Sequence, residues 1–346
     1  MQNDSTMTRR DILRAAAAGG ALLVLGPVGA RAAGAPFDVG TISITWYPIF
    51  LYFLPVSVAI EKGFMREEGI EVKDIIGAKG GGETVRNMTE GGLLLADAAA
   101  AASVLAIIRA KEPLMLVAGG TKSPGDISWV VLENSPIKKI QDLKGKTMSF
   151  TSPGSVTEQL ATMCLSRAPG VTPDDVKRVS AGGIGEGLAL LRKGEVDACA
   201  MLEPTFTQRG AGTRILFYAR QLVPDYFQTF WLARKTFMQQ HGDALRAFLR
   251  ARRRGVEYTL KNPREAAQVW ARLNKQPDDL AVKMLDASGV PEGHYHSDGR
   301  FIAEGLRTVE EGMRLGGDIE KNAKVPWPEI IDQSFLDPAQ RIALPA

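Results

Sequence analysis

The segment with the clearest chemical potential is a turn that leads into a predicted helix, and it reads SPGSVTE from Ser152 to Glu158. The residues before Ser155 favour a tight turn, and Ser155 followed by Glu158 matches a capping box with Ser155 as the N-cap. The first N–H groups of a helix lack partners within the helix, and the helix dipole is positive at that end. The segment therefore suits a small anion or the polar end of a ligand, with predicted contacts from Ser152, Gly154, Ser155 and Thr157. The alternative is that Ser155 only caps its helix.

Two glycine-rich turns of similar design precede other predicted helices. Gly80-Gly81-Gly82 opens one helix, which also holds Thr84 near its start, and Gly182-Gly183 opens another. Each helix is followed by a glycine stop and then by a predicted strand, which carries Asp97 in the first unit and Asp197 in the second. This repeated order of glycine turn, helix, glycine and strand predicts two α/β lobes built on one plan. Ligands of open α/β sheets bind beyond the carboxyl ends of the strands, so these glycines and Thr84 are predicted ligand contacts.

Three side chains at predicted strand ends decide which ligand such a cleft would take. Trp46 and Tyr47 suit an apolar or planar ligand, with ordinary packing as the alternative. Glu203 would repel an anion but would accept hydrogen bonds from an amine or an aminopyrimidine; it could also be a structural residue before Pro204. Because this preference conflicts with that of the Ser155 helix, the sequence predicts a small organic solute with a polar or anionic end. It does not choose among an aminosulfonate, an aromatic carboxylate and a pyrimidine.

The charge distribution gives little sign of a macromolecular partner. Lys79 and Arg86 are the cations nearest to the first glycine turn, and the sequence does not establish whether either enters a cleft. Residues 250–254, Arg-Ala-Arg-Arg-Arg, are interpreted as the solvated face of a helix, with contact to a partner protein as the alternative. The formal net charge of +3 falls to about +1 without residues 1–32, which hold four arginines and two aspartates. Such a chain gives no reason to expect binding to nucleic acid or to a membrane surface.

No pattern typical of a catalytic or metal site is present in the sequence. The three histidines, His241, His294 and His296, fall in the C-terminal third, and the last two are interpreted as part of a surface loop rather than as metal ligands. The chain lacks a Gly-x-Ser-x-Gly elbow and a P-loop, and its glycine turns depart from the dinucleotide-binding pattern. Cys164 and Cys199 are interpreted as buried thiols rather than as a disulfide. We therefore predict no catalytic residue, no metal and no cofactor.

Strands and helices alternate over the first two thirds of the chain. Strands are predicted over residues 39–46, 70–76, 93–98, 114–118, 129–132, 147–150 and 196–202, with helices between most of them. This alternation predicts an α/β fold with mostly parallel sheets covered by helices on both faces. Helices are predicted over residues 242–261, 264–274, 277–287 and 301–315 and are expected to return to the first lobe. The chain is expected to cross between the lobes near residues 122–128 and 224–230.

Residues 1–32 are predicted to be an export signal and not part of the fold. Arg9-Arg10 precedes an alanine- and leucine-rich run over residues 15–28, and Ala30-Arg31-Ala32 offers a cleavage site, so we expect removal near Ala32. The paired arginines resemble a twin-arginine signal, which predicts a periplasmic mature protein. The apolar run is short for a membrane span, and an uncleaved anchor is the alternative.

Several motifs in a common order resemble those of one family. They are residues 55–72, PVSVAIEKGFMREEGIEV, then Asp142-Leu-Lys-Gly-Lys146, Ser155, Gly194-Glu-Val-Asp197 and Leu202-Glu-Pro204. In these positions the chain is similar to periplasmic solute-binding proteins of ABC importers, in the nitrate/sulfonate/taurine and thiamine-pyrimidine (NMT1/THI5-like) branch. The resemblance covers nearly all of the chain after the signal.

The resemblance implies a two-lobed periplasmic-binding-protein fold of type II, with a mostly parallel sheet flanked by helices in each lobe. The predicted lobes are residues 33–124 with 231–346 and residues 125–230. It also implies a monomer that captures a small organic solute of sulfonate, aromatic carboxylate or pyrimidine type between the lobes. ABC permease and ATPase subunits in the inner membrane would be its partners. The alternatives on this fold are a periplasmic sensor module and a pyrimidine-processing enzyme, whose histidine and cysteine-rich motif this sequence lacks.

Overall fold

Twelve β-strands and thirteen α-helices alternate along residues 35–346, the part of the chain that the computed structural model describes. The predicted export signal over residues 1–32 lies outside this part. The strands are β1 (Phe37–Asp38), β2 (Thr41–Thr45), β3 (Ile70–Glu71), β4 (Asp74–Ala78), β5 (Leu95–Ala99), β6 (Leu114–Gly119), β7 (Ile127–Leu132), β8 (Thr147–Phe150), β9 (Lys177–Ser180), β10 (Ala198–Leu202), β11 (Thr213–Tyr218) and β12 (Thr229–Arg234).

The helices that connect or follow these strands vary from one turn to more than five turns in length. They are α1 (Leu54–Glu61), α2 (Phe64–Glu67), α3 (Gly81–Glu90), α4 (Ala100–Ile108), α5 (Val156–Arg167), α6 (Ile184–Lys193), α7 (Thr205–Arg209), α8 (Lys235–Gln240), α9 (Gly242–Lys261), α10 (Pro263–Asn274), α11 (Asp278–Ser288), α12 (Ala303–Leu315) and α13 (Trp327–Ile330). Within this set, none is both long enough and apolar enough to cross a membrane.

Ten of the strands form two five-stranded sheets, and β1 and β3 pair in parallel with each other. The first sheet has the order β4-β2-β5-β12-β6, and the second has the order β9-β8-β10-β7-β11. In each sheet four strands run parallel, and the fourth in the order, β12 or β7, runs antiparallel to both neighbours. The two sheets therefore share one plan, and the predicted α/β fold with mostly parallel sheets is confirmed.

The chain passes from the first sheet to the second after β6 and returns before β12, and the two crossing segments lie side by side. The backbone N–H of Gln228 donates to Thr121 O over 2.8 Å, and that of Tyr226 donates to Lys122 O over 3.2 Å. The hydroxyl of Thr229 accepts from the N–H of Thr121 over 3.0 Å. These bonds tie the two crossing segments together. The lobe limits, residues 33–124 with 231–346 and residues 125–230, stay a prediction.

The C-terminal helices pack against helices of both sheets, and not against the first lobe alone as we expected. α9 packs on α1, and a Cβ at Gly255 would lie 2.0 Å from the carbonyl oxygen of Pro55. Only glycine permits this approach without a shift of one helix. α12 packs on α5, which follows β8 in the second sheet, and Gly312 lies there against Gln159 and Met163.

The strand predicted over residues 70–76 is two strands with different partners. β3 pairs with β1, whereas β4 pairs with β2 at the edge of the first sheet. Between them the N–H of Lys73 donates to Gly40 O over 3.0 Å, so the chain shifts from one partner to the next without a loop. Alternation of apolar residues shows that a segment is extended, but it does not show which strand it pairs with.

The basic run over residues 250–254 is only partly solvated, which corrects the interpretation from the sequence. Three of its arginines form ion pairs at the surface, but Arg252 is 1% exposed and donates to Ser297 O over 2.8 Å. The physical reason lies in the helical period. Arg252 shares one face of α9 with the buried Leu245, Phe248 and Thr259, and that face packs against the core.

The surface-loop interpretation of residues 294–296 is also wrong for two of the three. His294 is exposed, whereas Tyr295 and His296 are buried. Burial lowers the pKa of His296 well below its usual range, and the positive charges of Arg252 and Lys122 act in the same direction. This histidine is therefore a neutral core residue, and its backbone bridges to Thr121 in the first crossing segment.

The two cysteines are buried free thiols, as predicted. Cys164 lies on α5 and Cys199 on β10, and burial raises the pKa of each to about 12. Neither thiol is poised to act as a nucleophile, since reactivity requires the thiolate.

Candidate ligand-binding cleft

A cavity of about 260 Å³ is lined by residues from both sheets. Most of them follow the carboxyl end of a parallel strand, which is where ligands of open α/β sheets bind. The first sheet and its helices contribute Thr45, Trp46, Phe50, Tyr52, Lys79, Gly80, Gly81, Gly82, Ala99, Ala101 and Ala102. The second sheet contributes Ile127, Thr151, Ser152, Pro153, Gly154, Ser155, Val156, Thr157, Ile184 and Leu202, and the returning segment contributes Gln228 and Thr229.

Four helices begin at the cavity wall. α3, α4, α5 and α6 start at Gly81, Ala100, Val156 and Ile184, so the positive ends of their dipoles face the same space. The glycine turn permits this convergence, because a Cβ at Gly81 would lie 2.4 Å from the Cβ of Ala99. The N–H of Ala100 donates to the carbonyl oxygen of Gln228 over 2.9 Å. The other N–H groups in the first turns lack backbone partners within their helices, and those that no capping side chain occupies can serve a ligand.

Ser155 is both a helix cap and a lining residue, so the two alternatives of the sequence coexist. Its hydroxyl accepts from the N–H of Glu158 over 3.2 Å and lies 2.9 Å from the hydroxyl of Thr157. The Glu158 carboxylate accepts from the N–H of Gly154 over 2.6 Å instead of from Ser155. Thr157 Oγ1 in turn accepts from the N–H of Thr151 over 2.9 Å. These bonds hold the loop closed around the start of α5.

The aromatic residues at the end of β2 point in different directions. Trp46 lines the cavity, with its ring centroid 5.5 Å from that of Phe50. Its backbone has φ +59°, in the left-handed region that bulky residues seldom adopt, and its N–H donates to Ala78 O over 2.7 Å. Tyr47 lies outside the lining, and its ring packs edge-on against Phe53 at 5.1 Å.

Four more of the predicted contacts lie outside the lining, and two of these have clear structural roles. Glu203 is 2% exposed, and its carboxylate accepts from the hydroxyl and the N–H of Thr207 over 2.7 and 3.2 Å. Burial raises the pKa of Glu203, although both bonds from Thr207 oppose this. Thr84 is fully buried behind the glycine turn and bonds to the hydroxyl of Thr45 over 2.7 Å. Gly182 and Gly183 precede the lining residue Ile184 without lining the cavity themselves.

The structure adds residues that sequence reasoning missed, and we call Tyr52, Gln228 and Thr229 the floor of the cavity. The Tyr52 hydroxyl donates to Gln228 Oε1 over 2.8 Å. Gln228 Nε2 donates to Ser123 O over 2.9 Å and to Asp126 Oδ1 over 2.7 Å. Gln228 lies in the predicted crossing over residues 224–230, which was the one local signal that could have identified it.

The charge on the cavity wall is positive. Lys79 is the one charged side chain among the described residues that line it. Asp97 and Asp126 are buried outside the lining, and burial raises their pKa values to about 7 and about 6. The charge of Arg252 opposes the shift of Asp97, as does the hydroxyl of Thr229. No group of three or more potential metal-ligating side chains occurs within residues 35–346.

Comparison with known proteins agrees with this architecture. The model of the NMT1/THI5 like family matches residues 51–266. A formylaminopyrimidine-binding protein of Halalkalibacterium halodurans is 28% identical over 240 residues, which cover 66% of this chain and 68% of the relative.

Solved structures share the fold at low sequence identity. The periplasmic aliphatic sulphonate binding protein SsuA of Escherichia coli superposes with a TM-score of 0.70 at 20% identity, over 86% of this chain and 97% of its own. The desulfurization enzyme DSZB superposes with a TM-score of 0.61 at 16% identity, also over 86% of this chain and 97% of its own. Together with the family match, these comparisons show that the chain belongs to the NMT1/THI5-like family and has the two-lobed α/β fold of periplasmic binding proteins.

Proposed function

We propose that this protein is the solute-binding component of an ABC importer and that it captures a small organic anion in the cleft between its two sheets. The observation that carries the proposal is the cavity wall, in which four helix N-termini and Lys79 face one space that holds no lining carboxylate among the described residues. The coarse role follows the family and its fold. The anionic class follows the electrostatics of this wall.

The positive end of the site favours a sulfonate or carboxylate group. Each helix N-terminus stabilises an anion by roughly 0.3–1 kcal/mol when exposed and by more when partly buried. Glu203 opposes an anion less than the sequence suggested, because its carboxylate accepts hydrogen bonds from Thr207 and lies outside the lining. An amine or aminopyrimidine therefore loses the partner that would have favoured it.

The remainder of the wall favours an apolar or aromatic body. Trp46, Phe50, Ile127 and Leu202 line the cavity, and the polar atoms of Gln228 are already used within the protein. A volume of about 260 Å³ suits a small solute. We therefore place the anionic end at the helix N-termini and the apolar body against the aromatic side.

The partners and the location are part of the same proposal. ABC permease and ATPase subunits in the inner membrane would receive the solute from a monomeric protein in the periplasm. Export by the twin-arginine route, with cleavage near Ala32, is supported by the residues around Arg9 and Arg10. Binding would close the lobes through contacts that form only in the closed state.

The main alternative is an enzyme on the same fold, and the lining residues argue against it. They include no histidine, cysteine, aspartate or glutamate among the described residues, so Lys79 and Tyr52 are left as candidate acids or bases, and the Tyr52 hydroxyl is already bonded to Gln228. A pyrimidine-processing enzyme would release product from a bound pyrimidine. Turnover by the purified protein that depends on a lining residue would overturn the receptor proposal. A sensor module would share the cleft and differ in its partner, which a pull-down from membranes distinguishes.

The test is a thermal-shift panel on residues 33–346 with nitrate, sulfate, taurine, benzenesulfonate, benzoate and an aminopyrimidine. A ligand at about 100 times its dissociation constant adds about 2.7 kcal/mol, which raises the Tm by a few degrees. We expect the organic anions to stabilise the protein and the Lys79→Gln variant to respond less. Lys73→Gln, at a lysine outside the lining, is the matched control. Stabilisation by the aminopyrimidine alone would contradict the anionic assignment.

A further inference from the structure

A hydrogen-bond chain connects the cavity floor to both crossing segments. It runs from the Tyr52 hydroxyl to Gln228 Oε1, and from Gln228 Nε2 to Asp126 Oδ1 and Ser123 O. Asp126 and Ser123 belong to the first crossing segment, Gln228 belongs to the second, and Tyr52 lies before α1. All members are buried, with exposures of 6% or less. The chain therefore joins the ligand wall to the segments about which the lobes would move.

We propose that Asp126 is a positioning residue of the ligand site, which fixes the Gln228 amide and through it the Tyr52 hydroxyl. An ionised carboxylate can only accept hydrogen bonds, as can a backbone carbonyl. Asp126 and Ser123 O therefore both require the Nε2 side of Gln228, and Oε1 is left for Tyr52. The floor then presents the Tyr52 ring to the ligand without a free hydroxyl proton. The positioning role of Asp126 rests on these hydrogen bonds alone. Its effect on ligand affinity rests in addition on the function proposed above.

The surroundings of Asp126 make its charge sensitive to the ligand. The groups that face it are Tyr295 from the loop before α12, Tyr52, and Glu203 at the end of β10, while Arg220 donates to the neighbouring Gly125 O. Burial raises the pKa of Asp126 to about 6, the negative charge of Glu203 acts in the same direction, and the bond from Gln228 opposes it. An anion in the cleft would disfavour the ionised form further. Ligand binding and protonation of Asp126 should therefore favour each other.

The first test needs no ligand. The side-chain amide of Gln228, labelled with ¹⁵N and assigned with a Gln228→Asn variant, should titrate with a midpoint near pH 6, since a bond to a charged acceptor is stronger than one to a neutral acceptor. Asp126→Asn keeps an acceptor oxygen and should remove the titration. Glu203→Gln should keep the titration and move its midpoint downward, because a like charge is lost. An amide signal that does not change with pH in the native protein would overturn the proposal.

The second test measures affinity for benzenesulfonate at pH 8 and pH 5 by calorimetry. The sulfonate itself does not titrate in this range, so a change in affinity comes from the protein. We expect binding to tighten by roughly threefold at the lower pH and to lose much of this change in Asp126→Asn. An equal pH dependence in native protein and variant would overturn the coupling. If the amide titrates but benzenesulfonate does not bind at either pH, the proposed ligand class fails and the positioning role of Asp126 stands.

Discussion

Replacement of Trp46 by alanine and by glycine separates the role of its ring from the strain in its backbone. Both variants remove the ring that lines the cavity beside Phe50. Only glycine relaxes the left-handed backbone at φ +59°, which costs an L-residue about 1–2 kcal/mol. Glycine also gains freedom in the unfolded chain, which offsets about 0.5–1 kcal/mol of that relief. We therefore expect Trp46→Gly to be more stable than Trp46→Ala by about 0.5–1 kcal/mol.

The assay combines urea unfolding with calorimetric binding of benzenesulfonate. The two variants should share one denaturant slope and differ in midpoint, because they expose the same surface on unfolding. Both should bind at least about tenfold more weakly than the native protein, a loss of about 1.4 kcal/mol. An alanine variant as stable as the glycine variant would refute the strain argument. Unchanged affinity in both would place Trp46 among the packing residues.

Three further predictions test other parts of the site. Ser155→Ala should lower the free energy of unfolding by about 1 kcal/mol through loss of the cap and should also weaken benzenesulfonate binding, whereas a stability change alone would leave Ser155 only a cap. Glu203→Gln should leave the affinity for benzenesulfonate near its native value. A clear loss of affinity for an amine in a parallel titration would instead indicate that Glu203 contacts the ligand. Stability should fall as pH rises from 5 to 8, because Asp97 and Asp126 have pKa values raised to about 7 and about 6 and the folded protein binds their protons more tightly than the unfolded chain. The lowered pKa of His296 acts in the opposite direction over the lower part of this range, and the two carboxyl groups outweigh it. Asp126→Asn should flatten this dependence in chemical unfolding at several pH values, and a stability that rises over this range would contradict the assignment.

Features with a strong local signal could be predicted from the sequence. The strand over residues 147–150 and the helix over residues 242–261 have the predicted limits, because a turn follows the strand and Asn262-Pro263 follows the helix. Gly194 ends α6 with φ +75°, as its position after the helix suggested. The loop at Ser155 was identifiable for the same reason, since a cap and its glycine turn are encoded within a few residues.

The rest of the site depends on contacts between distant parts of the chain. Tyr52 and Gln228 are 176 positions apart and bond to each other, which no local pattern reports. The burial of Arg252, by contrast, could be predicted locally, because its helical spacing from Leu245 and Phe248 places it on the apolar face of α9. The interpretation of residues 250–254 as a solvated face relied on their charge and neglected this spacing. Glu203 shows the converse case, in which a polar residue at a strand end serves the adjacent turn.

We propose that the cleft selects an anion, and a pair of nearly isosteric ligands tests this selectivity most directly. Benzenesulfonate and benzenesulfonamide share a ring and a tetrahedral sulfur, but only the first carries a full negative charge near neutral pH. Calorimetric titration of residues 33–346 at low ionic strength should show benzenesulfonate binding at least about tenfold more tightly, a difference of about 1.4 kcal/mol. Equal or tighter binding of the sulfonamide would contradict the account, because the helix N-termini and Lys79 would then not recognise charge.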